Sequence, residues 1–183
     1  MMDREQALDL VRKYTNKDIT FRHLVATEGV MRALARRFEE DEDRWGFAGL
    51  WHDLDYDVTF ESPERHPYLG MDWLREEGMT DESILNAIHA HRDHAYATDL
   101  MSKALIHADG VAGLVVASAL VRPEKSKGMK VSSLKKKLKE KSFAPGVERD
   151  KVWNVEEGIA LPLDEFLAIS IDGLQSVAEE IDL

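Results

Sequence analysis

The chain has no cysteine among its 183 residues. Disulfides, thiolate nucleophiles and cysteine-ligated zinc or iron–sulfur sites are therefore excluded. No apolar run reaches the roughly 18 residues that a membrane span needs, and the N-terminus MMDREQALDL lacks a basic segment followed by an apolar one. We expect a cytoplasmic protein without a membrane partner, in which imidazole and carboxylate groups are the available metal ligands.

Alternation of apolar and polar residues with a period of two is also nearly absent, and apolar residues recur instead at spacings of three and four. One helix is predicted after Thr20, with Leu24, Met31 and Phe38 on one face. Another, mostly apolar, is capped by Thr98 and runs from Leu100 to about Val121. The pattern and the composition, 44% hydrophobic and 32% charged, predict an all-α, single-domain helical bundle over residues 1–183.

Capping residues, prolines and glycines indicate where the remaining helices begin and end. The segment HDLDYD follows a predicted helix through Trp51, and Gly78 stops the next one. A helix is predicted over 147–157, and a last helix carries an apolar stripe to Ile181. Helix starts are predicted at Asp3, Asp43, Pro67, Thr80 or Asp81, Ser132 or Ser133, and Pro162.

Negative charge dominates, with a net charge of −11, but it is unevenly placed. The basic strip, Arg122 to Lys141, holds nine Lys or Arg residues against two Glu and carries +7, which leaves −18 for the rest. Such an acidic chain argues against non-specific nucleic-acid binding. The strip is either a solvated helix face or a contact for a phosphate or an acidic partner.

All seven histidines lie between His23 and His107, and the last 76 residues have none. His52 and Asp53 are adjacent at a predicted helix end. Consecutive helical residues point about 100° apart, so both reach one ion only if the ion lies off that end. Imidazole and carboxylate ligands from several segments are typical of a buried divalent-metal site. The candidate ligands are His23, His52, Asp53, His66, His91 and Asp109.

Asp109 is the most anomalous of these residues, because its predicted helix is otherwise apolar and an unpaired buried carboxylate is costly. It needs a cation, either a metal or a partner such as Lys103 or an arginine. Each histidine alone could be a core imidazole bonded to a backbone carbonyl. His89 is the main rival to His91, whereas His94 and His107 are candidates for outer-shell, surface or substrate-contacting positions.

The order His23, His52-Asp53, Asp109 resembles the HD-domain superfamily of metal-dependent phosphohydrolases over Thr20 to Val121. The resemblance implies an HD-type helical core at about 20–121, followed by a helical extension at about 122–183. It also implies that one metal is held by His23, His52, Asp53 and Asp109. A second metal would be held by His66 and His91, with Asp53 bridging the two.

In many two-metal relatives the pair is followed by Ile-Gly-Lys, whereas here it reads HDLDYD, with Asp55 and Asp57 in place of the glycine–lysine part. The role of that lysine is therefore not carried over. The resemblance implies hydrolysis of a small phosphorylated substrate, a phosphomonoester, phosphodiester or nucleotide, by a metal-bound hydroxide, with His52 and Asp53 as the catalytic pair. Lys125 and Lys127 are the nearest candidates in sequence for gripping the phosphate.

Mixed imidazole and carboxylate ligands favour one or two iron, manganese, cobalt, nickel or zinc ions, and magnesium less because it prefers oxygen. Two alternatives remain open. Some HD proteins are di-iron oxygenases that cleave carbon–carbon or carbon–phosphorus bonds, and nothing in this set of ligands excludes that activity. A non-catalytic, metal-stabilised binding or regulatory module would instead use the basic strip for a partner.

Overall fold

The computed structural model describes residues 2–183, and within them every regular element is helical, which confirms the all-α prediction. Three 3-10 turns, at 63–65, 94–96 and 178–181, connect or extend the helices. The α-helices are α1 (Arg4–Tyr14), α2 (Asp18–Phe38), α3 (Glu42–Trp51), α4 (Tyr56–Thr59), α5 (Tyr68–Glu76), α6 (Glu82–Ala90), α7 (Leu100–Leu120), α8 (Val131–Lys139), α9 (Arg149–Trp153), α10 (Val155–Ile159) and α11 (Leu163–Ser176).

The centre of the bundle is formed by α2 and α7, each 21 residues long. α2 packs against α3, α7 and α11. It meets α11 at Gly29 and Gly173, where a Cβ on Gly173 would lie only 2.6 Å from the carbonyl oxygen of Gly29. Glycine at this crossing therefore lets the two backbones touch, and α11 of the extension joins the same core as α2.

α7 is long and apolar enough to span a membrane by length and composition alone. In the fold, 67% of its most apolar 18-residue stretch is buried, because the helix packs against α2, α3, α6, α9, α10 and α11. Its apolar character therefore matches its place at the centre of the bundle, and Asp109 lies midway along it.

Several helix starts differ from the predicted residues, although the helices themselves are present. The Asp3 cap of α1 is confirmed, and in return the Gln6 side chain accepts a hydrogen bond from the backbone N–H of Asp3. Asp81 rather than Thr80 caps α6. Asp41, not Asp43, caps α3, because its carboxylate accepts from the backbone N–H groups of residues 43 and 44. Asp99 rather than Thr98 caps α7, and the helix predicted over 147–157 is two helices that meet at Asn154.

The HDLDYD segment is tied to the start of α2 through Asp57, whose side chain is fully buried. Asp57 accepts hydrogen bonds from the backbone N–H of Asn16 at 2.8 Å and of Lys17 at 3.0 Å, and from the Thr20 hydroxyl at 2.6 Å. A carboxylate is favourable here because the helix N-terminus carries partial positive charge. The contact holds the segment after α3 against the first turn of α2, one turn before His23.

Candidate metal centre

Six side chains from five parts of the chain lie close together in space. Two of them are on the central helices α2 and α7, and four lie next to the ends of shorter helices. His23 lies in the second turn of α2, His52 and Asp53 directly follow α3, and His66 precedes α5. His91 follows the last residue of α6, and Asp109 is in the middle of α7. All six candidate ligands named from the sequence are thus brought together in space.

The first group surrounds the Nε2 atoms of His23 and His52, which are 3.2 Å apart. Oδ1 of Asp109 lies 3.2 Å from Nε2 of His23 and 3.6 Å from Nε2 of His52. Oδ2 of Asp53 lies 3.6 Å from Nε2 of His52 and 4.0 Å from Nε2 of His23. Ligand atoms of His23, His52 and Asp53 therefore lie within 4.8 Å of one another, and an oxygen of Asp109 lies beside the two nitrogens.

The second group surrounds the other oxygen of Asp53. Nε2 of His66 and Nε2 of His91 are 3.0 Å apart, and Oδ1 of Asp53 lies 3.2 Å from the first and 3.3 Å from the second. Asp53 therefore stands between the two groups and turns one oxygen to each.

Hydrogen bonds on the far side of three imidazoles fix which ring nitrogen carries the proton. Nδ1 of His52 donates to the carbonyl oxygen of Gly49 at 2.8 Å, and Nδ1 of His91 donates to that of Ile88. Nδ1 of His66 donates to Oδ1 of Asp55 at 2.6 Å. Because a backbone carbonyl or a carboxylate accepts from Nδ1 of each ring, Nε2 is the atom that faces the cluster, and it offers a lone pair whenever the ring is neutral.

Imidazole nitrogens that face one another beside carboxylate oxygens make this donor set fit a cation. Nε2 of His66 and Nε2 of His91 lie 3.0 Å apart with a carboxylate oxygen beside them, so the space between them suits a positive group, either the extra proton of a charged His66 or a metal ion in its place. A divalent transition metal accepts imidazole nitrogen and carboxylate oxygen together, and outer hydrogen bonds from Nδ1 are the usual support of such ligands. The residues present fit one ion on each side of Asp53.

Charges within the cluster oppose the effect of burial. Burial alone would raise the pKa of Asp53 and Asp109, but the surrounding imidazoles hold the pKa of both carboxyls well below the usual range. Burial likewise opposes charge on His66, but its hydrogen bonds to Asp53 and Asp55 outweigh this and raise its pKa to about 9. For His91 burial prevails and lowers the pKa. Both carboxylates are thus ionised at neutral pH.

Two partners of the cluster were not identified from the sequence. Asp55, fully buried, bonds His66 and also accepts from the backbone N–H of Gly70 at 2.8 Å. Lys151 on α9 places its Nζ 2.8 Å from Oδ2 of Asp109, a place the sequence suggested for Lys103, which is exposed. The sequence HDLDYD did show that Asp55 departs from the pattern of many two-metal relatives. Nothing in the sequence around Lys151 indicated a role for this lysine.

The other predicted positions lie apart from the six. Nε2 of His89 hydrogen-bonds with the Tyr68 hydroxyl at 3.2 Å and its ring lies 4.0 Å from that of Tyr96, so His91 and not His89 belongs to the cluster. Nδ1 of His107 donates to the carbonyl oxygen of Lys151 at 2.5 Å. Lys125 and Lys127 follow the end of α7, about 16 Å along the helix from Asp109 at 1.5 Å per residue, and Nζ of Lys125 donates to the carbonyl oxygen of Asp182.

Solvent reaches the cluster on one side. The side chains of His23, Asp53 and Asp109 are 24%, 15% and 16% exposed, whereas that of His52 is fully buried. The first group is therefore accessible to a ligand from the side of His23 and Asp109.

Comparison with known protein families gave a match. Residues 20–140 match the family model described as HD domain. That range includes all six clustered residues but not Lys151. A search of curated proteins and a search of solved structures each found no match.

Proposed function

The chain belongs to the HD domain family, and from this membership we propose that it is a metal-dependent phosphohydrolase acting on a small phosphorylated substrate. The observation that carries the proposal is the cluster around Asp53. Two pairs of imidazole Nε2 atoms, 3.2 and 3.0 Å apart, flank the two oxygens of one carboxylate. This arrangement is suited to two cations that share a ligand.

His23, His52, Asp53 and Asp109 would hold one ion, and Asp53, His66 and His91 the other. Iron, manganese, cobalt, nickel and zinc suit these ligands, and magnesium suits them less. When bound, such a pair of ions acts as a Lewis acid that makes water more acidic and polarises phosphoryl oxygens.

Bound metal would favour substrate binding at this site. Asp53 and Asp109 are both ionised, because the pKa of each is well below its usual range. In the metal-free protein the imidazole of His66, whose pKa is raised to about 9, and the ammonium of Lys151 offset these two negative charges. Divalent ions would add positive charge where an anionic phosphoryl group approaches, so we expect phosphate to bind the metal-loaded protein more tightly than the metal-free protein.

The buried partners keep the ligand atoms in place during turnover. Nδ1 protons on His52 and His91 are held by backbone carbonyls, and that on His66 by Asp55. The rings therefore cannot rotate without losing a hydrogen bond in a buried environment, which would cost free energy. Phosphomonoesters, phosphodiesters and nucleotides all present the group that this site would recognise.

The test begins with metal analysis of the purified protein. Metal-free protein is then loaded with manganese, iron, cobalt, nickel or zinc, and phosphate release is measured over a panel of nucleotides and other phosphoesters. We expect Asp53→Ala to lose both bound metal and phosphate release, because this carboxylate faces both groups. Asp72→Ala, which removes an exposed carboxylate on α5, is the matched control and should behave as wild type.

Three results would contradict the proposal. Unchanged metal content in Asp53→Ala would remove Asp53 from the centre. Oxygen consumption by the iron-loaded protein without phosphate release would indicate an oxygenase. Bound metal that stabilises the protein without any turnover would indicate a binding or regulatory module.

A further inference from the structure

Lys151 lies outside the matched residues 20–140, yet its ammonium group is at the candidate centre. We propose that Lys151 is a substrate-binding residue whose ammonium contacts the phosphoryl group, so that the C-terminal extension completes the site. This inference rests on the proposed function. The ligand is a phosphate group, and the position of the Lys151 side chain supports the inference.

One carboxylate separates the ammonium from the candidate metal ligands. Oδ2 of Asp109 is 2.8 Å from Nζ of Lys151, while Oδ1 of the same carboxylate is 3.2 Å from Nε2 of His23. The positive group is therefore adjacent to the first group of ligands, on the side where solvent enters. Among the lysines that the sequence suggested for a role at the site, Lys103, Lys125 and Lys127, none has such a contact with it.

The position of Lys151 is fixed by two contacts of its backbone and Cβ with α7. A Cβ on Gly110 would lie 2.6 Å from the Cβ of Lys151, so only glycine allows α9 to approach α7 this closely. The carbonyl oxygen of Lys151 accepts a hydrogen bond from Nδ1 of His107. Residues 107, 109 and 110, within one turn of α7, thus contact the backbone and the side chain of this one lysine.

The ammonium retains a hydrogen-bond donor for a ligand. A lysine ammonium has three N–H donors, and two carboxylates engage it here, Asp109 and Glu148, each at 2.8 Å. The side chain is 12% exposed, beside the 16% exposed Asp109. A phosphoryl oxygen arriving at the first group could therefore accept the third N–H, and lysine is a common phosphate ligand in proteins.

The experiment measures the binding of inorganic phosphate to the metal-loaded, full-length protein by calorimetry. We expect Lys151→Met to bind phosphate about 10- to 100-fold more weakly, the range for a lost hydrogen bond to a charged group, with its metal content unchanged. Lys151→Arg keeps the charge and should retain most of the affinity. Lys103→Met, which removes an exposed lysine on the same helix as Asp109, is the matched control.

The inference is overturned if metal-loaded Lys151→Met binds phosphate as tightly as wild type. It is also overturned if this variant loses metal together with phosphate, because Lys151 would then act only on Asp109. If Lys151→Met does not fold, Lys151→Gln is measured against the same criteria. If the wild-type protein binds no metal, the proposed function itself is contradicted. If the wild type binds metal and the variant binds phosphate equally tightly, only the role of Lys151 is contradicted.

Discussion

At the residue scale, Asp55 orients His66 through its side chain, whereas the Nδ1 atoms of His52 and His91 donate to backbone carbonyls. One oxygen of Asp55 accepts from Nδ1 of His66 and the other from the backbone N–H of Gly70. The same carboxylate therefore aims His66 and holds the first turns of α5 against the HDLDYD segment. Its removal leaves a buried Nδ1–H and a buried backbone N–H without acceptors.

We predict that Asp55→Ala lowers the affinity for the second metal about 10- to 100-fold, as is typical when the outer hydrogen bond of a metal-ligating histidine is lost. The first metal should bind as in wild type, because none of its ligands contacts Asp55. Titration of metal-free protein with a single metal would resolve the two steps. Equal losses at both steps, or no loss, would contradict the role given to Asp55.

The sequence predicted which residue types and positions converge, because His and Asp residues on predicted helix ends and on an apolar helix leave few alternatives. It could not predict their partners. Asp55 and Lys151 owe their roles to which side chains lie next to His66 and Asp109 in three dimensions. A lysine 42 residues away from its carboxylate has no local pattern that distinguishes it from a solvated one.

At the element scale, α3 and α6 are clamped together at their N-terminal ends, opposite the ends that bear His52, Asp53 and His91. Arg44 of α3 contacts Asp81, the cap of α6, through Nε at 2.8 Å and Nη2 at 3.1 Å. The same carboxylate accepts from the backbone N–H of Ser83 at 3.0 Å. The contact thus joins a helix cap to an interhelical ion pair.

The start of α3 shows why such ends are hard to predict. Asp41, Glu42 and Asp43 are consecutive acidic residues, and either aspartate is a good cap by residue type. Only the backbone angles at position 41, φ −72° and ψ 109°, turn its carboxylate to the free N–H groups of the first turn. Sequence patterns therefore located the helix but placed its start two residues late.

The ion pair predicts a pH dependence with a definite sign. The hydrogen bonds from Arg44 lower the pKa of Asp81 from 3.8 to about 2. A carboxyl whose pKa is lower in the folded state than in the unfolded state stabilises the fold, and the full contribution is present above the unfolded pKa. For Asp81 this contribution to the free energy of unfolding is lost as pH falls from 3.8 through about 2. Asp81→Asn keeps a capping residue but removes the charge, so it should cost about 1 kcal/mol or less at pH 6, as partly exposed pairs do.

Urea unfolding of wild type and Asp81→Asn at pH 6 and pH 3 checks this prediction. We expect the difference in the free energy of unfolding to shrink at the lower pH. A difference that stays constant between the two values would mean that the charge of Asp81 does not contribute. Asp72→Asn, at an exposed site on α5, controls for the loss of one negative charge from an acidic protein.

At the scale of the whole molecule, the candidate ligands come from α2, α7 and the residues that flank α3, α5 and α6, so they meet only when the bundle is assembled. The extension belongs to the same structure, since Phe166 and Leu174 of α11 are fully buried in the core and Lys151 reaches the centre. In an unfolded chain these ligands are dispersed over residues 23–109. A metal that binds this centre therefore binds the native state in strong preference to the unfolded one.

We predict that metal raises the thermal stability of the native protein. At a free metal concentration of about 100 times Kd, one site adds about 2.7 kcal/mol, which for a chain of this size corresponds to an increase in Tm of about 5 to 10 °C. Thermal unfolding of the full chain is compared with manganese, after chelation and after re-addition of the metal. Asp53→Ala should melt at the same temperature with and without metal, because its cluster lacks the shared carboxylate. If chelated and metal-loaded wild type melted at the same temperature, no ion would be contributing to the fold, and the Nε2 atoms that face each other around Asp53 would need another explanation.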